Sequence, residues 1–179
     1  MEKLRLYHFS TEEYPSGSIV KIPHEECALS YSNGDEMNKN TIDCFDEHIS
    51  QEYPNYVLRK HAVYAFDKAS YARRYGGANG HVYEIEMVVS YKGPFVLVNR
   101  LRKVLGNPEI VAKVLKEYFE PTEKWKVYEY LGKDFVVIDE VKQIPPTCDF
   151  DIDYDLDKRI FEPKTTWAER MRKITKGNI

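Results

Sequence analysis

Hydrophobic and polar positions alternate over short runs in this chain, and the period changes from two to about 3.6 several times. Leu4 to Phe9 (LRLYHF) alternates and predicts a first strand. Thr41 to Glu52 predicts an amphipathic helix, with Ile42, Phe45 and Ile49 on one face and Pro54 beyond its end. Ala62, Val63 and Tyr64 predict a strand that turns at Asp67, a good helix cap. A short helix follows through Ala69, Tyr71, Ala72 and Tyr75, and Gly76-Gly77 stop it. Val82, Tyr83, Ile85 and Met87 predict the next strand, with Glu84 and Glu86 on its other face. Gly93-Pro94 reads as a turn and Phe95 to Val98 as a short buried strand. Asn107-Pro108-Glu109 opens a helix that ends before Pro121. Val127 to Leu131 and Phe135 to Val141 predict two strands joined as a hairpin across Gly132-Lys133-Asp134.

Two stretches read as loops: Thr11 to Ile22, and the polar, mobile run Asn33 to Asn40. Near the end, DFDIDYDLD sets Phe150, Ile152, Tyr154 and Leu156 against five aspartates, which predicts an edge strand with a charged outer side. The same run lacks the central Gly and terminal Glu of a calcium loop. Thr166 with Glu169 then forms a capping box for a basic helix through Arg170, Arg172, Lys173 and Lys176. Strands and helices succeed each other without regular βαβ alternation, so the fold class is α+β. The expected organisation is one domain over residues 1–146, with an acidic strand and basic helix over 147–179 packed on it.

Composition narrows the class only modestly. The chain has 179 residues, 42% hydrophobic and 31% charged, as in a soluble globular protein and too apolar for disorder. A net charge of -3 gives no chain-wide sign of nucleic acid or a membrane surface. Cys27, Cys44 and Cys148 are far apart and show neither zinc spacing nor a disulfide framework. With no signal-peptide-like start and no long apolar run, a cytoplasmic location is expected. The five histidines show no ligand-type pairing, so no metal is expected. Nucleophile elbows and phosphate-binding glycine loops are absent as well. Tyrosine is the outlier, with 14 residues.

What remains is an ordered set: His8, Tyr64, Tyr75 and Glu129. LYHFS, VYAFDKASYARRYG with HVYEIEM, and KVYEYLGKDFVVIDEV together resemble the core of the ADP-ribosyltransferase superfamily over residues 4–145. The closer likeness is to its His-Tyr-Glu branch, which holds the poly-ADP-ribose polymerases, diphtheria-toxin-like enzymes and small bacterial transferases. The resemblance implies a split β-sandwich of two antiparallel sheets with short flanking helices, and NAD as substrate. His8 would bond the adenosine ribose, with Ser10 beside it. Tyr64 and Tyr75 would sandwich the nicotinamide ring, and Glu129 would act as the catalytic carboxylate. Phe9 stands where the family commonly has Gly, leaving its N–H to grip the carboxamide. Val127, two residues before Glu129, replaces the Gln or Glu of arginine-modifying relatives. The competing Arg/Ser/Glu branch would need a Ser-Thr-Ser-like strand after Arg5, which is not there.

The implied activity is mono-ADP-ribosyl transfer to a protein or nucleic acid, in a toxin-antitoxin or phage-conflict setting with an inhibitor or antitoxin as a further partner. Such chemistry passes through an oxocarbenium-like transition state, which a carboxylate at the ribose stabilises electrostatically. NAD hydrolysis on the same scaffold is one alternative. A non-catalytic interaction module working through Asp149 to Asp157 is the other.

Overall fold

The computed structural model describes residues 3–22, 29–32 and 34–162. Its strands are β1 (Lys3–Ser10), β2 (Ile19–Lys21), β3 (Val63–Phe66), β4 (His81–Val88), β5 (Tyr91–Pro94), β6 (Tyr128–Gly132) and β7 (Asp134–Glu140). Its helices are α1 (Leu29–Ser32), α2 (Glu36–Glu52), α3 (Ala69–Gly76), α4 (Val96–Val104), α5 (Pro108–Phe119) and α6 (Asp149–Phe161), with a short 3-10 turn at Arg59–His61.

The strands form one seven-stranded antiparallel sheet in the order β2-β7-β4-β1-β3-β6-β5. Two sheets are expected from the resemblance; one is found, with a thin seam in it. β1 pairs with β4 along its whole length, Lys3 to Ser10, yet meets β3 at the single register pair Tyr7 and Phe66. Across that seam His8 Nδ1 lies 2.7 Å from the Tyr64 carbonyl oxygen, a side-chain bond beside the lone backbone pair.

Pleating sorts the two faces. One carries Leu6, Val63, Ala65, Tyr83, Ile85, Met87, Phe135 and Val137, packed together. The other carries Tyr64, Tyr91 and Leu131 against Phe45 and Ile49 of α2, Leu97 and Leu101 of α4, and Val114 and Tyr118 of α5. Farther along that face, Phe66 and Val82 meet Tyr71 and Ala72 of α3 and Phe150 of α6. Gly93 on β5 permits this layering, since a Cβ there would stand 2.3 Å from the Tyr118 ring.

Several expected elements form as their signals require. Asn107 caps α5 by accepting from the Ile110 N–H at 3.2 Å, and Gly77, at φ 84°, closes α3 in a conformation L side chains rarely adopt. Others differ. α2 begins at Glu36, capped by Asp35, so most of the run expected to be mobile is its first turn. α3 starts at Ala69, with Asp67 outside it. Gly93-Pro94 lies within β5, and Val96 to Val98 belong to α4, whose Val96, Leu97 and Leu101 bury one helical stripe. β6 and β7 are consecutive but unpaired: β6 lies between β3 and β5, β7 between β4 and β2.

The largest difference concerns the acidic stretch. Asp149 to Phe161 is a helix, so the expected edge strand is corrected to α6. Phe150, Asp153 and Asp157 are buried at i, i+3 and i+7, a helical stripe rather than a strand face. The buried acids are satisfied. Asp153 accepts from the backbone N–H groups of Lys126 and Val127, both at 2.8 Å, and Asp157 pairs with buried Arg100 at 2.7 Å. Asp149 and Asp151 stand in the first turn, where the helix dipole favours anions. Period two failed because it assigned every aspartate to solvent. The expected basic helix at Thr166 to Lys176 lies outside the described residues.

Candidate functional site

Glu129 is the second residue of β6, opposite Phe66 of β3 and Gly93 of β5, and only 1% of it is exposed. A carboxylate so deeply buried needs a charge partner and filled lone pairs. Arg59 supplies the charge, with Nη1 2.6 Å from Oε1 and Nη2 3.3 Å from Oε2. The Tyr118 hydroxyl donates to Oε1 at 2.6 Å while accepting from Arg59 Nη1 at 2.8 Å. Burial, and then the Glu129 charge, hold the Tyr118 pKa well above its ordinary value, so this hydroxyl keeps its proton and stays a donor. Burial alone would lower the Arg59 pKa; Glu129 and the surrounding tyrosines carry it above its usual range.

Arg59 is held on every side. Its backbone N–H donates to Asp46 of α2 at 2.5 Å, and its carbonyl accepts from the Tyr64 hydroxyl at 2.8 Å. Its guanidinium carbon lies 4.5 Å from the Phe45 ring centre and 5.1 Å from that of Tyr64. The Arg59 Nε and Tyr91 hydroxyl are the buried side-chain polar atoms with no protein partner among the described residues. Glu129 and Tyr64 therefore come together, in a sealed cluster whose other members (Arg59, Tyr118, Asp46) the sequence did not single out. Arg59 stands in no periodic stripe, so no local pattern marks it.

Tyr75 occupies the rim. It is 40% exposed and packs against Phe66 and Phe95, with ring centres 5.4 and 5.6 Å away. Its hydroxyl pKa is nonetheless pushed up to about 12, by desolvation first and the Glu129 charge second. Tyr75 is thus a partly solvated aromatic at the edge of the cluster, close enough for the Glu129 charge to act on its hydroxyl.

His8 faces the other way. It lies on the same side of β1 as Leu6, two residues before it, and packs on Phe135, ring centres 4.9 Å apart, on the sheet face opposite Glu129. A carbonyl only accepts, so the bond to Tyr64 places the proton on Nδ1. Burial lowers the His8 pKa against the raising effect of that bond, which leaves a neutral ring with Nε2 as an acceptor. Acidification below about 6.5 then protonates this histidine in the unfolded chain before the native one, and stability falls as pH falls. In urea titrations from pH 7 to pH 5, wild type is expected to lose more stability than His8→Gln; equal losses would refute the assignment.

Phe9 and Ser10 point toward packing and turn formation. Phe9 lies against Gly76, where a Cβ would come within 1.9 Å of its ring. Ser10 Oγ accepts from the Glu12 N–H at 3.0 Å. The six expected residues thus surround the β1–β3 seam from both faces without converging on one cleft. Among the described residues no group of three or more His, Cys, Asp or Glu side chains is placed to hold a metal ion, and no helix is long and apolar enough to cross a membrane. Neither a scan against protein-family models nor a search of curated proteins returns a match to this chain.

Proposed function

We propose that this protein is a mono-ADP-ribosyltransferase that takes NAD at the β1–β3 seam and transfers ADP-ribose to a macromolecule, on a sheet of the ADP-ribosyltransferase type. One observation carries the reading: His8, Tyr64 and Glu129 stand on the three adjacent strands β1, β3 and β6, and His8 bonds the Tyr64 backbone across the seam. Tyr75, on the helix that follows β3, adds an aromatic rim. Glu129 is the one buried carboxylate in that row, and it meets a ribose only when the Arg59 contact opens, so the closed pair is the resting arrangement in this reading.

The sealing of Glu129 favours a second reading, in which the fold is retained as a non-catalytic interaction module. Purified protein with labelled NAD and a cell lysate, run beside Glu129→Gln, separates the possibilities. Transferase activity labels a macromolecule in wild type and loses at least about 100-fold in the variant, on the scale of removing one transition-state contact. Protease and nuclease digestion then identify the acceptor class. Nicotinamide release without label points to hydrolysis, and neither product leaves the interaction module.

A further inference from the structure

A second concentration of polar chemistry lies on the helical side of the molecule. A groove of about 640 Å³ runs between α2, α4 and α6, lined by Met37, Asn99, Arg102, Lys103 and Tyr154. That volume is ordinary for a small-molecule site. Both charged lining groups are cationic. Arg102 Nη2 is 2.7 Å from Asp35, which engages one of its five N–H donors. Lys103 has no ion-pair partner among the described residues, although Glu162 is near enough to feel its charge. Three carboxylates on or just after α6 lie beside arginines. Asp151 lies 3.8 Å from Arg74, and Asp157 and Glu162 lie 2.7 and 2.6 Å from Arg100.

The hydroxyl in the groove is oriented as a donor too. Asn99 Nδ2 donates to the Tyr154 oxygen at 2.8 Å, which leaves the tyrosine's own O–H to point elsewhere. Burial raises the Tyr154 pKa, so the proton is retained. Met37, 48% exposed in the first turn of α2, gives the groove an adaptable apolar wall.

We propose that this groove binds an organic phosphate, its phosphoryl oxygens held by Arg102, Lys103 and the Tyr154 hydroxyl and its organic part against Met37. A guanidinium, an ammonium and a hydroxyl from separate positions suit three terminal oxygens better than the two of a carboxylate. The site is built from different elements than the β1–β3 seam and does not depend on the transferase reading.

Calorimetry on the full chain with adenosine monophosphate, and separately with inorganic phosphate, tests it. Adenosine monophosphate is expected to bind to wild type, at least about tenfold more weakly to Arg102→Ala/Lys103→Ala, and more weakly to Tyr154→Phe. Inorganic phosphate is expected to compete for the site with lower affinity. Absence of binding by wild type would overturn the proposal, as would equal affinity in a folded double variant. Equal affinity for the two probes would remove the organic part and leave a bare anion site. A Glu129→Gln variant should bind as wild type does, which keeps this outcome separate from that of the NAD assay.

Discussion

Arg59→Ala is expected to lower the unfolding free energy by about 3–5 kcal/mol, because it leaves the Glu129 carboxylate buried without a counter-charge. At this chain length that is a fall of roughly 10 °C in Tm. Two further losses act in the same direction. The guanidinium fills the space between the Phe45, Tyr64 and Tyr118 rings, and its removal opens a cavity there. The Tyr118 hydroxyl loses its donor and keeps only its own bond to Glu129. The double variant Arg59→Met/Glu129→Leu removes both charges and restores apolar volume, so it should recover most of the stability. If the single variant costs less than about 1 kcal/mol, in the range of an exposed pair, the cluster is open to water and the picture of a sealed carboxylate fails. Glu129→Gln keeps an amide oxygen to accept from Tyr118, but it leaves the buried Arg59 guanidinium without its counter-charge, so it too should cost stability, by an amount of the same order. In the NAD assay the variant is therefore compared with wild type only after its fold has been checked by circular dichroism.

The uneven legibility of this chain follows from which forces act locally. β1 and β4 are plain in the sequence because Leu6 on one and Tyr83, Ile85 and Met87 on the other bury the same face, and alternation records that. α5 is plain because Asn107, Pro108 and Glu109 act on its own first turn. The pairing of strands is different, being decided by partners far away in sequence. Gly132 to Asp134 look like a hairpin turn, yet β6 is drawn between β3 and β5 and β7 to β4, where their apolar faces find cover. The site divides in the same way. Tyr64 and Glu129 share a face because both stand two residues from a registered neighbour, which alternation contains once the register is known. His8 falls on the opposite face for the same reason, and only the pairing of Tyr7 with Phe66 reveals it. Arg59, held by Asp46 from α2 and by Glu129 from β6, is specified entirely by tertiary contacts.

The sharpest contrast between pattern and packing is expected within α6, where Asp157→Ala should cost about 3 kcal/mol and Asp155→Ala no more than about 0.5 kcal/mol. On a strand with a solvated acidic side the two would be equivalent. On the helix they are not. Asp157 is 3% exposed and bonds Arg100 Nε and Nη2 at 2.9 and 2.7 Å, whereas Asp155 faces solvent. Removing Asp157 strands a guanidinium that is itself 4% exposed. Glu162, 2.6 Å from Arg100 Nη1, retains part of the compensation, which places the cost at the lower end for a broken buried pair. Asp153→Asn probes the neighbouring contact. The amide keeps one acceptor for the Lys126 and Val127 N–H groups and turns its NH₂ toward the other, at a cost of about 1–3 kcal/mol. Chemical denaturation of the three variants measures all of this directly. Equal, small effects at 153, 155 and 157 would return the stretch to an exposed acidic face; a steep order of 157, 153, 155 establishes that its buried acids bind α6 to α4 and to the approach to β6, the strand that carries Glu129.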